Sequence, residues 1–202
     1  MSYKNPLIMK SRQSFLLAII LAVATCSYAK DVAKNLPPHY REWLTKDVAY
    51  IITNEEKQAF LQLTSDEARD RFIDRFWEIR NPTPGSPINP YKAEHYRRLE
   101  YANEYFGHIS HTEGWRTDMG RIYITLGEPA QRQKLLGLQK ITPMEIWFYS
   151  NASPALPPFF YVVFYQRDQG DEFRLYSPYS DGPERLITAV VGPAPLARML
   201  CT

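Results

Sequence analysis

The chain has 202 residues, of which 45% are hydrophobic and 23% charged, and its formal net charge is +2 at pH 7. This length suffices for one domain with a sizeable core. A charge so close to zero excludes a protein that binds nucleic acid through a basic surface.

The N-terminus has the pattern of a secretory signal peptide. Cationic residues from Lys4 to Arg12 precede the uncharged apolar run Phe15 to Ala24, and small residues up to Ala29 suit a cleavage site. The run is about ten residues long, whereas a transmembrane helix needs roughly 20. We therefore predict that residues 1–29 are removed and that the protein is exported to the periplasm or the extracellular space.

Cys26 offers a second cleavage position. The residues Val23 to Cys26 resemble a bacterial lipobox, in which the cysteine is lipidated, although Thr25 fits that pattern poorly. Lipidation would tether the protein to a membrane surface, and it is the only membrane attachment that we predict. If Cys26 instead leaves with the signal peptide, Cys201 is the single cysteine and no internal disulfide forms.

The rest of the chain divides into a helical half and a strand half. We predict a flexible leader at 30–43, a folded domain at 44–191 and a C-terminal tail at 192–202. Helix periodicity and capping residues predict a short helical segment at 39–46, and helices from Glu55 to Leu63 capped by Asn54, from Asp66 to Arg80 with a capping box from Thr64, and from Pro90 to Phe106 capped by Asn89. The loop between the last two helices is rich in proline.

After Gly107 the hydrophobic period changes from 3.6 to 2, which indicates strands. We predict strands at 122–126, 145–150, 159–166, 173–177 and 186–191, with 159–166 central because it is almost wholly apolar. The segment Arg167 to Asp171 predicts a hairpin connection. The expected fold is α+β, with N-terminal helices packed on one face of a C-terminal antiparallel β-sheet.

The stretch EGWRTDMGRIYITLGEP, residues 113–129, can build a corner or a site. As a corner, Gly114 and Gly120 permit sharp turns or close backbone approach, and Thr117 and Asp118 accept hydrogen bonds from nearby backbone N–H groups. Trp115 then supplies a large apolar body, and Arg121 pairs with Asp118. The corner is the interpretation that we favour.

The same residues also permit a site. Asp118 could act as a general base, and Arg116 or Arg121 could hold a carboxylate or a phosphate. General acid–base catalysis usually needs a second group of complementary pKa, which the sequence does not place. The alternative function is therefore a hydrolase or a small-ligand-binding enzyme centred on Asp118, with Arg121, Glu128 or Glu145 assisting.

Several ordered motifs resemble one bacterial family. GWRTDMGRIYITLGEP resembles the signature of the GWxTD-domain proteins, and FWEIRNPTP, EHYRRLEYANEYF and EIWFY are similar to segments that occur there in the same order. The resemblance spans about Leu44 to Leu186. It implies no activity, cofactor or catalytic residue.

Other candidate sites are weaker. His108, His111 and Glu113 are metal-ligand types, but structural zinc needs four ligands, so we predict no metal site and no cofactor. Exposed aromatic residues could bind a glycan, and Tyr161, Tyr165, Tyr176 and Tyr179 are the ones to check. Our main hypothesis is a non-catalytic interaction or assembly module of the bacterial envelope. Its protein partner would contact the sheet edge or the loop from Pro82 to Pro90.

Overall fold

The structure is a computed structural model that describes residues 35–109, 111–168 and 170–187. The predicted signal peptide, Cys26, Cys201 and the predicted C-terminal tail lie outside these residues. The α+β class is confirmed, because within the described residues five α-helices, mostly in the N-terminal half, precede a four-stranded antiparallel sheet. The chain divides into two compact units, residues 1–91 and 92–202.

The first unit is helical. From residue 35 onward its elements are α1 (Pro38–Glu42), which continues as a π-helical turn (Trp43–Asp47), α2 (Asn54–Leu61) and α3 (Asp66–Glu78). These three helices correspond to the three predicted helical segments before the proline-rich loop.

The helix starts in this unit are fixed by side-chain caps. Thr53 Oγ1 accepts from Glu56 N at 3.2 Å, and Glu56 Oε2 accepts from Thr53 N at 2.9 Å, which is a complete capping box. Ser65 caps α3 by accepting from Ala68 N. Each cap lies one residue from the predicted one, since Asn54 is the first residue of α2 and Ser65, not Thr64, precedes α3.

Aromatic rings fill the core of the first unit. Trp43 packs 4.9 Å from Phe60 and 5.3 Å from Phe76, measured between ring centroids, and Phe60 lies 5.4 Å from Phe72. Trp43, Phe60 and Phe76 are buried. Pairs of rings in tilted or edge-on contact stabilise a core beyond their buried area, so this cluster holds the three helices together.

The second unit combines helices with the sheet. It contains most of α4 (Pro90–Tyr105), a 3-10 turn (Gly114–Arg116), α5 (Asp118–Leu126), the strands β1 (Gln131–Leu135), β2 (Met144–Ser150), β3 (Phe159–Tyr165) and β4 (Arg174–Leu175), and a 3-10 turn (Pro183–Leu186). The strands lie in the order β1-β2-β3-β4, each antiparallel to its neighbour.

The predicted strand at 122–126 is wrong, because these residues belong to α5. The residues buried in α5 are Met119, Gly120, Tyr123 and Ile124, which is the spacing of one helix face. Ile122, Ile124 and Leu126 also alternate, and β-branched residues favour strands, so the local pattern favoured the wrong element. The helix forms because Thr117 caps it and its apolar face is buried.

The other strands follow the prediction more closely. β2 and β3 match the predicted 145–150 and 159–166, and β3 is an inner strand as expected. β4 has only two residues where 173–177 was predicted, and no strand was predicted at the position of β1. Of the predicted strand 186–191, Leu186 lies in the 3-10 turn and Ile187 bridges Ile141, while the remainder lies outside the described residues.

One face of the sheet packs against α4 and α5. The Trp147 ring, fully buried, lies 5.9 Å from Phe106 after α4 and 6.4 Å from Tyr123 of α5. The guanidinium of Arg132 on β1 lies 4.7 Å from the Trp147 ring and 5.5 Å from the Tyr123 ring. This cluster is the core of the second unit, with the arginine stacked on its aromatic faces.

Glu94 joins two arginines near the start of α4. Its carboxylate accepts from Arg97 at 2.7 Å and from Arg98 at 2.7 Å, and Arg98 also donates to the carbonyl of Ile124 on α5. The hydrogen bond from Arg97, helped by Arg98, lowers the pKa of Glu94 to about 2. Through Arg98, the carboxylate therefore helps hold α4 against the end of α5.

We expect Glu94→Gln to remove a pH-dependent part of the stability. The pKa of Glu94 is lower in the folded chain than in the unfolded one, so its contribution is present above about pH 4.5 and is lost as the pH falls toward 2. The side chain is 40% exposed, so solvent screening limits the contribution. We expect about 1 kcal/mol, or a midpoint roughly 2–4 °C lower at pH 7.

The measurement is calorimetric unfolding of both proteins from pH 7 to pH 2.5. The midpoints of the variant and the unmodified protein should converge at the acid end. Glu100→Gln, an exposed substitution on the same helix, serves as the control. A gap that stays constant with pH would mean that the ion pairs of Glu94 do not stabilise the fold.

Candidate functional site

The segment from Gly114 to Arg121 forms a corner where three backbone stretches touch. A Cβ atom on Gly114 would lie 1.9 Å from the carbonyl oxygen of Ala102 in α4. A Cβ atom on Gly120 in α5 would lie 2.0 Å from the carbonyl oxygen of Gly114. Close backbone contact therefore requires glycine at both positions. Close backbone approach was one of the two roles predicted for them.

Thr117 connects the turn to the helix. Its Oγ1 donates to the carbonyl of Gly114 at 2.7 Å and accepts from the N–H of Gly120 at 3.0 Å. The side chain is buried, so both bonds are shielded from water. A hydroxyl is needed here because it donates and accepts at once, and it caps α5 as an N-cap residue.

Trp115 anchors the corner to α4. Its backbone N–H donates to Asn103 Oδ1 at 3.1 Å, and its side chain is buried. The guanidinium of Arg116 lies 4.5 Å from the centre of the Trp115 ring and pairs with Glu113 at 2.9 Å. Arg116 therefore covers the tryptophan from the solvent side.

Asp118 links α5 to the last strand of the sheet. One carboxylate oxygen accepts from Arg121 Nη2 at 3.0 Å, and the other accepts from the backbone N–H of Leu175 on β4 at 2.9 Å. The pairing with Arg121 was predicted, whereas the bond to Leu175 was not, because 57 residues separate the two partners. The carboxylate also lies in the first turn of α5, where the helix dipole favours negative charge.

A family model described as the GWxTD domain matches residues 28–179. The chain belongs to the GWxTD domain family. Neither the curated proteins nor the solved structures contain a match. In this GWxTD domain the residues of the signature build a corner around α5. They include Thr117, the N-cap of α5, the carboxylate of Asp118 in its first turn, and the two glycines that make close backbone contacts, Gly114 and Gly120.

The structure does not bring the other candidate acids to Asp118. Glu145 is buried on β2, where it accepts from Trp147 Nε1 at 2.7 Å. In the strand register Glu145 opposes Phe164, which opposes Leu175, the residue bonded to Asp118. Two strand spacings, roughly 10 Å, therefore separate Glu145 from Leu175. Glu128 is exposed, at the end of α5 remote from Asp118.

The candidate metal ligands do not form a cluster. Among the described residues no group of three or more His, Cys, Asp or Glu side chains could hold a metal ion. Glu113 pairs instead with Arg116. No helix in the described part of the chain has the length and apolar character that a membrane span requires.

The aromatic candidates differ in exposure. Tyr179 is 100% exposed and Tyr161 is 68% exposed, whereas Tyr165 is buried and donates to Asp181 at 3.2 Å. The ring of Tyr161 lies 5.2 Å from that of Phe148, tilted by 43°. A flat platform for a sugar requires coplanar rings, and these two neighbouring rings on the outer sheet face are not coplanar.

A groove lies between α5 and β3, with a volume of about 560 Å³. Its lining is largely apolar and includes Ile122 and Leu126 of α5, and Phe160 and Val162 of β3. This groove was not predicted, because a strand within the sheet was expected at 122–126, where the structure has α5. The apolar run at 159–166 carried no signal for the groove, because the run does not show which part of the strand α5 leaves uncovered.

Proposed function

We propose that this chain is an exported, non-catalytic interaction module of the bacterial cell envelope. In this proposal the GWxTD signature maintains the fold, and a protein partner binds elsewhere on the chain. The observation that carries the proposal is the state of Asp118, whose two oxygens are both engaged within the chain, by Arg121 and by Leu175 N–H. The signal-peptide pattern at 1–29 supports export.

The alternative is an enzyme in which Asp118 acts as a base. That role would require the carboxylate to leave its hydrogen bond to β4, and it would require a second titrating group nearby. The separation of Glu145 from Leu175 and the exposed position of Glu128 favour the structural role. The effect of Asp118 on stability, treated in the Discussion, distinguishes the two alternatives.

Two surfaces are available to a partner. One is the sheet edge near Tyr161, and the other is the proline-rich loop from Pro82 to Pro90, where Ile88 is 69% exposed. Prolines pre-order a loop and lower the entropic cost of binding, and exposed apolar side chains supply contact area. Each surface lies within a single compact unit of the chain.

We expect a photo-reactive amino acid at one of these surfaces to capture a discrete partner. The residue replaces Tyr161 or Ile88 in the full chain, which is produced in the organism that encodes it. After illumination, a defined cross-linked species should form from at least one of the two positions. Arg71, exposed on α3, provides the control position, which should give no such species. If neither Tyr161 nor Ile88 yields one, the proposed function is wrong.

A further inference from the structure

The outer edge of β3 is only partly covered. β3 pairs with β2 from Phe159 to Tyr165, along its full length. β4 pairs only with Phe164 and Tyr165. Within residues 35–109, 111–168 and 170–187, no strand pairs with the stretch of this edge from Phe159 to Val162.

The hydrogen-bond pattern identifies the backbone groups on this edge. Asn151 N donates to Pro158 O, and Gln166 N donates to Pro143 O, so the even-numbered residues of β3 bond to β2. Phe159 and Tyr161 therefore direct their N–H and C=O groups outward. Such a row of backbone groups is a template for another strand.

A tight turn keeps β4 from covering this row. Tyr176 N donates to Val163 O at 2.8 Å, and this is the last backbone hydrogen bond of the β3–β4 pairing toward the open part of the β3 edge. Ser177 N then donates to Asp181 Oδ2 at 2.7 Å, and Asp181 N donates to Ser177 O at 2.9 Å. The chain thus turns away at Pro178, and the open edge follows from the local sequence.

The groove lies directly beside the open edge. Phe160 and Val162 of β3 form its floor, and Ile122 and Leu126 of α5 form its wall. Arg121 is the charged residue that lines it, and this guanidinium is already paired with Asp118. A charged side chain entering the groove would lose hydration without gaining a free counter-charge, so the groove fits apolar side chains.

We propose that the outer edge of β3 from Phe159 to Val162 binds an extended apolar segment of a partner protein as an added strand. Its backbone pairs with Phe159 and Tyr161, and its alternate side chains enter the groove beneath α5. This inference rests on the proposed function, since it names one surface of the interaction module and the kind of segment that the surface accepts.

The open edge favours a strand over the other occupants. The backbone groups of a helix are bonded within the helix, so a helix cannot pair with the outward N–H and C=O groups of Phe159 and Tyr161. A second copy of this chain is disfavoured because antiparallel pairing of its own β3 would bring its own α5 to the same side of the joined sheet. An extended segment adds only alternate side chains to the groove.

The test uses a fluorescent eight-residue peptide in which valine and threonine alternate between terminal lysines. Binding to the full chain is measured by fluorescence anisotropy, and we expect saturable binding with a Kd of about 10–100 µM. A second peptide carries N-methyl groups on the amides of both edges. It keeps every side chain but has no N–H donor for strand pairing on either edge, so it should bind at least tenfold more weakly.

Tyr161→Pro is the matched variant of the protein. The N–H that it removes points away from β2, so the β2–β3 pairing is kept while the added strand loses a donor. We expect at least tenfold weaker peptide binding. Tyr161→Lys, which keeps the backbone donor but places a charge at the edge, is the second variant if the proline substitution impairs folding, and we expect at least threefold weaker binding. Tyr179→Lys, at a fully exposed position, should leave binding unchanged.

Three outcomes would overturn the inference. Equal binding of the two peptides would show that the groove takes apolar groups without strand pairing, as a lipid chain would. A concentration-dependent dimer that Tyr161→Pro abolishes would identify a second copy as the occupant. No binding at 1 mM peptide would exclude the added strand, while cross-linking at Ile88 would still support the proposed function.

Discussion

Replacing Gly114 by alanine is expected to unfold the second unit or to lower its unfolding midpoint by roughly 8 °C or more. The new Cβ would lie 1.9 Å from the carbonyl oxygen of Ala102 and 2.7 Å from that of Phe106, so the turn and α4 must move apart. Such a shift breaks the backbone contacts of the corner and costs upwards of about 3 kcal/mol. Differential scanning calorimetry measures the midpoint, and Gly120→Ala should behave similarly.

Gly137→Ala is the matched control for this prediction. Gly137 has a φ of +71°, but its Cβ position has no atom within 4 Å, so alanine there costs only the backbone strain of about 1 kcal/mol. At Gly114 the reverse holds, because the Cβ position is crowded but φ is not positive. If Gly114→Ala proves no more harmful than Gly137→Ala, the close contacts of the corner do not determine its stability.

Replacing Asp118 by asparagine is expected to lower the midpoint by several degrees. The amide has nearly the shape of the carboxylate but only one acceptor oxygen, so it cannot serve both Arg121 and the N–H of Leu175. A hydrogen bond to a charged group contributes about 1.5–3 kcal/mol, and the 35% exposure of Asp118 reduces this to about 1–2 kcal/mol. Thermal unfolding, followed by circular dichroism, gives the midpoint.

The control is Asp168→Asn, at an exposed position in the connection between β3 and β4. Its midpoint should stay within about a degree of the unmodified protein, since isolated surface substitutions change stability little. An Asp118→Asn midpoint that is unchanged or raised would mean that folding does not use the carboxylate. The catalytic alternative would then replace the structural role, because residues kept for function commonly reduce stability.

The sequence predicted those parts of the fold that local chemistry determines. The helices of the first unit follow from capping residues and a 3.6-residue period, and β2 and β3 follow from dense runs of β-branched and aromatic residues. β1 reads QRQKL and has no apolar alternation, so only its pairing with β2 makes it a strand. For 118–126 the strand propensity of Ile122 and Ile124 competed with the cap at Thr117, and tertiary burial decided in favour of the helix.

The residues of the candidate site could be predicted from the sequence, but the bond that connects them to the sheet could not. The residues of the corner and the pairing of Asp118 with Arg121 lie close together in the sequence, so local spacing was sufficient to identify them. The second partner of Asp118 is a backbone N–H on β4, which carries no residue-specific signal. The open edge of β3 was likewise hidden, since it depends on where β4 stops.

The bond between Asp118 and Leu175 also limits when the corner can be completed during synthesis. A ribosome adds about 5–20 residues per second, so the 57 residues between the two partners take roughly 3–11 s to appear. During that interval α5 can be capped by Thr117, but its carboxylate has no strand to hold. Closing a segment of this length also costs about 3–4 kcal/mol of chain entropy. The corner is therefore completed only after β4 has been made, and a nascent chain that ends before Leu175 has the GWxTD signature without its connection to the sheet.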